Sequence, residues 1–210
     1  MENKKEGIKK VFLYGILGIV IITTCIISAL FAIKLQRQSV VEEEVVTQTL
    51  RAHDAVVDIL LPFKVEPDEG FSVEQDIKYY VKTTKAFFGQ DENLALHIYS
   101  VTYRTELFLD SWAPDVEGMA QVSISSLEKN KSLDKFSHEV KEVTVSGIKA
   151  VDVTSRYRRG TYKMVQRVLH IPTKTSTWSF KAIYREKDDT KYLFDLITRM
   201  FESIKLRIEN

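Results

Sequence analysis

Residues 177–204 read TWSFKAIYREKDDTKYLFDLITRMFESI. Over the first eight, Trp178, Phe180, Ala182 and Tyr184 alternate with Ser179, Lys181 and Ile183. That period of two belongs to a half-buried strand. The period then changes. Leu193, Leu196, Ile197, Met200, Phe201 and Ile204 fall at i, i+3, i+4, i+7, i+8 and i+11, one apolar stripe of a helix that Asp188 or Asp189 can cap. A helix with so continuous a stripe needs a sheet to lie on, and the strand before it belongs to that sheet.

Working upstream, the same alternation recurs. Tyr162 to Ile171 stops at Pro172, and Ile148 to Tyr157 ends at Arg158-Arg159-Gly160, where glycine permits a tight reversal. Val140 to Val145 ends at Ser146-Gly147. A first helix is predicted over Pro114 to Asn130, because Val116, Met119, Ala120, Ile124 and Leu127 form one stripe. Pro114 suits its first turn, and Asp115 and Glu117 complement the helix dipole. Leu94 to Tyr103 pairs with Ile77 to Phe88 as a hairpin-like unit; both faces of Leu94–Tyr103 are fairly apolar, as in a sheet covered on both sides. Ala55 to Val65 is a further strand, broken at Pro67-Asp68-Glu69-Gly70. Strands and two helices in this order, with antiparallel neighbours, predict an α+β domain over residues 49–210.

The N-terminal part obeys different chemistry. Val11 to Ile33 carries no charge and has Lys10 and Lys34 at its ends. As a helix it is about 35 Å long, enough for a hydrocarbon core of about 30 Å. Lys4, Lys5, Lys9 and Lys10 precede it, whereas only Lys34 and Arg37 follow before Glu42-Glu43-Glu44, so the positive-inside rule favours a cytoplasmic N-terminus. The expected organisation is a cytoplasmic tail (1–10), a transmembrane helix (11–33) serving as signal-anchor, a stalk (34–48) and an extracytoplasmic domain. A cleaved signal peptide is the competing reading. The apolar run exceeds a usual h-region, and Leu30 spoils an A-x-A site ending at Ala32. Cys25, the only cysteine, lies inside the run, so the outer domain can hold no disulfide.

Three stretches resemble the PsbP-like fold family. Val57 to Lys64 resembles its opening strand. Val143 to Ala150, with the central Ser146-Gly147, resembles its hairpin, and Trp178 to Leu206 resembles its last strand and C-terminal helix. The likeness spans about residues 50–208. It implies an antiparallel sheet sandwiched by helices and a docking role beside larger assemblies. It implies no shared catalytic set, and the anchor departs from the soluble photosynthetic members.

Candidate chemistry is sparse. The histidines, His53, His97, His138 and His170, have no metal-ligand spacing; His97 and His170 lie in strands and read as ordinary sheet residues. No G-x-S-x-G elbow occurs, and the eight glycines form no phosphate loop. Charges beyond residue 33 nearly cancel, which argues against nucleic-acid binding. One surface stands out. Arg156, Arg158, Arg159, Lys163 and Arg167 sit in one hairpin with Tyr157 and Tyr162 and no acid, a candidate site for an anionic partner, although alternation spreads them over both faces. Trp112 could cap the core or meet a partner. No cofactor and no metal is expected. The function expected is a tethered binding or accessory module touching the lipid bilayer through 11–33 and docking a protein or envelope component. A small-ligand or lipid sensor, with a pocket between sheet and helix, is the alternative; an enzyme of unfamiliar design comes third.

Overall fold

The computed structural model describes residues 45–209 apart from 74, 76, 109–113, 188 and 189. The tail, the apolar run with Cys25, most of the stalk, Trp112 and the two aspartates, one of them the expected cap of the last helix, therefore lie outside the described residues. Among the described residues no helix is long and apolar enough to cross a membrane.

Ten strands and two α-helices form among these residues. They follow the order β1 (Val46–Ala52), β2 (Ala55–Leu61), β3 (Glu66–Pro67), β4 (Val81–Gln90), β5 (Leu94–Tyr103), α1 (Val116–Glu128), β6 (Leu133–Val145), β7 (Ile148–Arg159), β8 (Tyr162–Pro172), β9 (Ser176–Arg185), α2 (Thr190–Glu202) and β10 (Lys205–Ile208). The α+β class and the two helices agree with the sequence reading. Seven strands build an antiparallel sheet in the order β3-β4-β5-β9-β8-β7-β6. Its reversals are local. Ser146 and Gly147, both at positive φ, close β6 onto β7, and Gly160 does the same between β7 and β8.

A second sheet, β1-β2-β10, corrects the simple sandwich. One face of the large sheet, called inner here, is covered by α2 together with this small sheet; helices alone do not enclose the core. Trp178, Phe180, Ala182 and Tyr184 of β9 meet Leu94, Leu96 and Ile98 of β5 and Val57, Ile59 and Leu61 of β2 in one core. The helix stripe Leu193, Leu196, Ile197, Met200 and Phe201 closes it, as its spacing requires. On the opposite, outer face, α1 lies over β6, β7 and β8 and contributes a smaller cluster in which Ala120 and Ile124 meet Val151 and Val153. Asp115 caps α1 by accepting from the backbone N–H groups of Glu117 and Gly118.

Several boundaries differ from expectation; β6 opens at Leu133 rather than Val140, and β2 ends at Leu61 rather than Val65. The first strand opens at Val46, inside the stretch read as stalk, and Gln48 exchanges two hydrogen bonds with the backbone of Val65. The chain leaves α2 into β10, which pairs antiparallel with β2. Residues 78–80 form a 3₁₀ turn ahead of β4.

Candidate functional site

Register decides which side chains meet. On the outer face, β5, β9 and β8 place His97 opposite Lys181 and Lys181 opposite Val168; one step along, Tyr99 lies opposite Ser179 and Ser179 opposite His170. Because β9 is the fourth of seven strands, this polar layer runs across the middle of the sheet.

His170 is its best-held member. Its Nε2 lies 2.7 Å from Ser123 Oγ on α1, and its Nδ1 lies 2.8 Å from Ser179 Oγ. A neutral imidazole donates from one nitrogen and accepts at the other, so two hydroxyls satisfy it completely. Burial, with the Lys181 ammonium adding to it, pushes its pKa down to about 4.

Lys181 is held differently. The residue is half-buried, and its Nζ stands 5.8 Å from the Tyr99 ring centroid. No ion pair involves Lys181 among the described residues. Burial lowers its pKa. His97 is lowered by burial and by Lys181, with Asp68 opposing. Aromatic rings flank the pair: Phe71 stacks on Tyr99 at 4.9 Å between centroids, and Phe88 sits 4.5 Å from His97. Burial raises the Tyr99 phenol, so it stays protonated at neutral pH.

The Ser123–His170 pair has the reach of a nucleophile and its base, but its third member is wrong for that chemistry. Ser179, a neutral hydroxyl, stands where a carboxylate would stabilise an imidazolium. A base at about 4 also takes few protons near neutrality. Ser-x-x-Lys spacings beginning at Ser126, Ser132 and Ser146 are exposed at both ends. Among the described residues no group of three His, Cys, Asp or Glu side chains converges on a metal position.

The basic hairpin is not one patch. Arg156, Arg158 and Lys163 fall on the inner-face side at its tip, whereas Arg159 pairs with Tyr162 on the outer side. Arg158 lies opposite Asp134 of β6 in register, and Lys163 Nζ stands 4.0 Å from Glu186. Arg167 does not belong to this surface at all. Alternation turns it inward beneath α2, where Nε and Nη2 donate to both oxygens of Asp152 at 2.6–3.1 Å, and Nη1 donates to Thr198 Oγ1 at 2.6 Å. Its guanidinium also lies over Phe194, 4.5 Å from that centroid. It is a structural ion pair.

The sequence reading passed over Ser123, His170, Ser179, Tyr99 and Lys181 as a group. One sign was present. A lysine stands at the centre of a strand otherwise rich in aromatics, on the face opposite Trp178 and Phe180.

No family model matches this chain, and no curated protein matches it. Among solved structures, LpqN of Mycobacterium tuberculosis, described as involved in cell envelope biogenesis, is similar at a TM-score of 0.43 and 12% identity, over 80% of this chain and 94% of that one. PA94 of Pseudomonas aeruginosa, a protein of unknown function, is similar at 0.39 and 12% identity, over 73% of this chain and 93% of that one. Likenesses at this level lend this chain no activity and no partner.

Proposed function

We propose that this chain is a single-pass, membrane-anchored binding module without catalytic activity, its N-terminus cytoplasmic and its α+β domain outside the cytoplasm. In this reading residues 11–33 are the anchor, and the domain docks a protein or envelope component near the membrane. Tethering raises the effective concentration of such a domain for neighbouring targets. The docking role is the one that the resemblance to the PsbP-like family implies.

The observation that carries the reading is the outer sheet face. It presents a half-buried ammonium and aromatic rings, while its one nucleophile-and-base geometry is tied into a neutral, satisfied hydrogen-bond chain. That supports recognition over turnover. A small-ligand sensor is the second reading, favoured by Lys181 having no acid beside it on β5, β8 or β9.

Cross-linking in intact membranes, followed by mass spectrometry, tests the module. A defined envelope or protein neighbour is expected, together with protease access to the domain from outside whole cells. A domain shielded from external protease, or a mature chain beginning after residue 33, overturns it.

A further inference from the structure

We propose that the outer face binds a small organic monocarboxylate, its carboxylate on the Lys181 ammonium and its apolar body against Tyr99, Phe71 and Phe88. The inference rests on the binding reading above and names the ligand class for that face.

An ammonium taken out of water costs free energy unless a counter-charge or full hydrogen bonding replaces its hydration. Lys181 has neither among the described residues. Its neighbours across the sheet are Val168 on one side and His97 on the other. Its Nζ lies over the Tyr99 ring, 5.8 Å from the centroid. Two further titratable groups lie near this face, and each already has a partner. His170 is already closed by Ser123 and Ser179. The acid acting on His97 is Asp68, whose Oδ1 accepts from the backbone N–H of Gly70. Among the described residues no group of this face supplies that charge, and the proposed ligand does.

Geometry and charge select the anion. One ammonium balances one negative charge. A phosphate dianion would leave excess charge on a partly desolvated face where, among the described residues, no arginine stands opposite Lys181 on β5 or β8. A carboxylate matches the single cation, and the neutral His97 can donate a second hydrogen bond to it. The Tyr99–Phe71 stack and the Phe88 ring give an apolar body somewhere to lie, so a carboxylate bearing a ring or chain fits better than acetate.

The test uses the full chain in lipid nanodiscs and benzoate as the probe, followed by calorimetric titration. Benzoate is expected to bind, with acetate and inorganic phosphate at least about tenfold weaker. Lys181→Met should weaken benzoate at least about tenfold, and Lys181→Arg should retain most of the affinity, since hydrogen bonds to charged groups are worth that factor or more. Benzoate should also protect Lys181 of the unmodified chain from reductive methylation, read by peptide mass spectrometry; this arm does not depend on any variant folding. Absence of benzoate binding, unchanged binding by Lys181→Met, phosphate binding more tightly than benzoate, or no protection would each overturn the proposal. If benzoate fails while cross-linking still captures a neighbour, the carboxylate site falls and the docking module stands.

Discussion

Arg167 and Lys181 occupy neighbouring strands of one sheet, one on each face. Arg167 points inward, and its side chain is 9% exposed against 7% for Asp152. All three nitrogens of its guanidinium donate, two to the carboxylate and one to Thr198, with the rings of Phe194 and Phe201 nearby. Lys181 points outward, half-buried, with valine and histidine opposite it and, among the described residues, no carboxylate paired with it. A cation supplied with its counter-ion in the same chain is part of the fold. A cation left without one is a cost to the fold, which a ligand can offset. The inner face is not uniformly satisfied either: Ser100 Oγ and Trp178 Nε1, opposite in register, and Tyr184 Oη make no hydrogen bond. Those are uncharged groups, and each costs about 1–3 kcal/mol, less than a buried charge.

The comparison breaks most visibly at Arg167. Arg167→Met leaves Asp152 buried without its partner and should cost about 3–5 kcal/mol in denaturant unfolding. A loss below about 1 kcal/mol would show that the pair is solvated and no different in kind from Lys181. Next comes pH. His170 titrates in the unfolded chain near 6.5 and in the folded one at about 4. The unfolded state therefore binds a proton first, so the stability contributed by the neutral ring is fully present above 6.5 and is lost as pH falls from there toward 4. The loss amounts to about 3 kcal/mol. His97, also lowered, adds in the same direction. His170→Gln should flatten most of that slope; an unchanged slope would mean that other groups carry it.

Smaller effects sharpen the outer face. Ser123→Ala removes one of the two hydroxyls on His170 and should cost about 1 kcal/mol while shifting the imidazole NMR resonances. Arg159→Ala, at the exposed hairpin tip, should leave the unfolding midpoint unchanged.

How much of this could be read in advance follows from where each strand sits. β5, β8 and β9 are interior strands whose alternation is strong, and their limits agree with the sequence to within a residue or two. The missed pieces are edges. β1 buries Leu50 alone, β10 buries Leu206 alone, and the first half of β6 is mostly exposed, so none shows a clear period. Edge strands carry polar side chains because they must resist further pairing, and β6 adds Lys141–Glu139 and Lys149–Glu142 pairs. The outer-face site was illegible for another reason. Ser123, His170 and Ser179 meet through strand order and the placement of α1, neither of which a local period encodes. Arg167 reads as part of a basic surface because the hairpin it belongs to holds Arg156, Arg158, Arg159 and Lys163; its partner, Asp152, lies on another strand.

The central claim concerns the sign of a single substitution. Removing a cation that has no partner should relieve desolvation, whereas removing one that is paired should strand its mate. Equilibrium unfolding of Lys181→Met beside the unsubstituted chain, without added carboxylate, reads that sign directly. The account predicts stability equal to or above that of the parent; a loss of several kcal/mol, comparable to that of Arg167→Met, would contradict it.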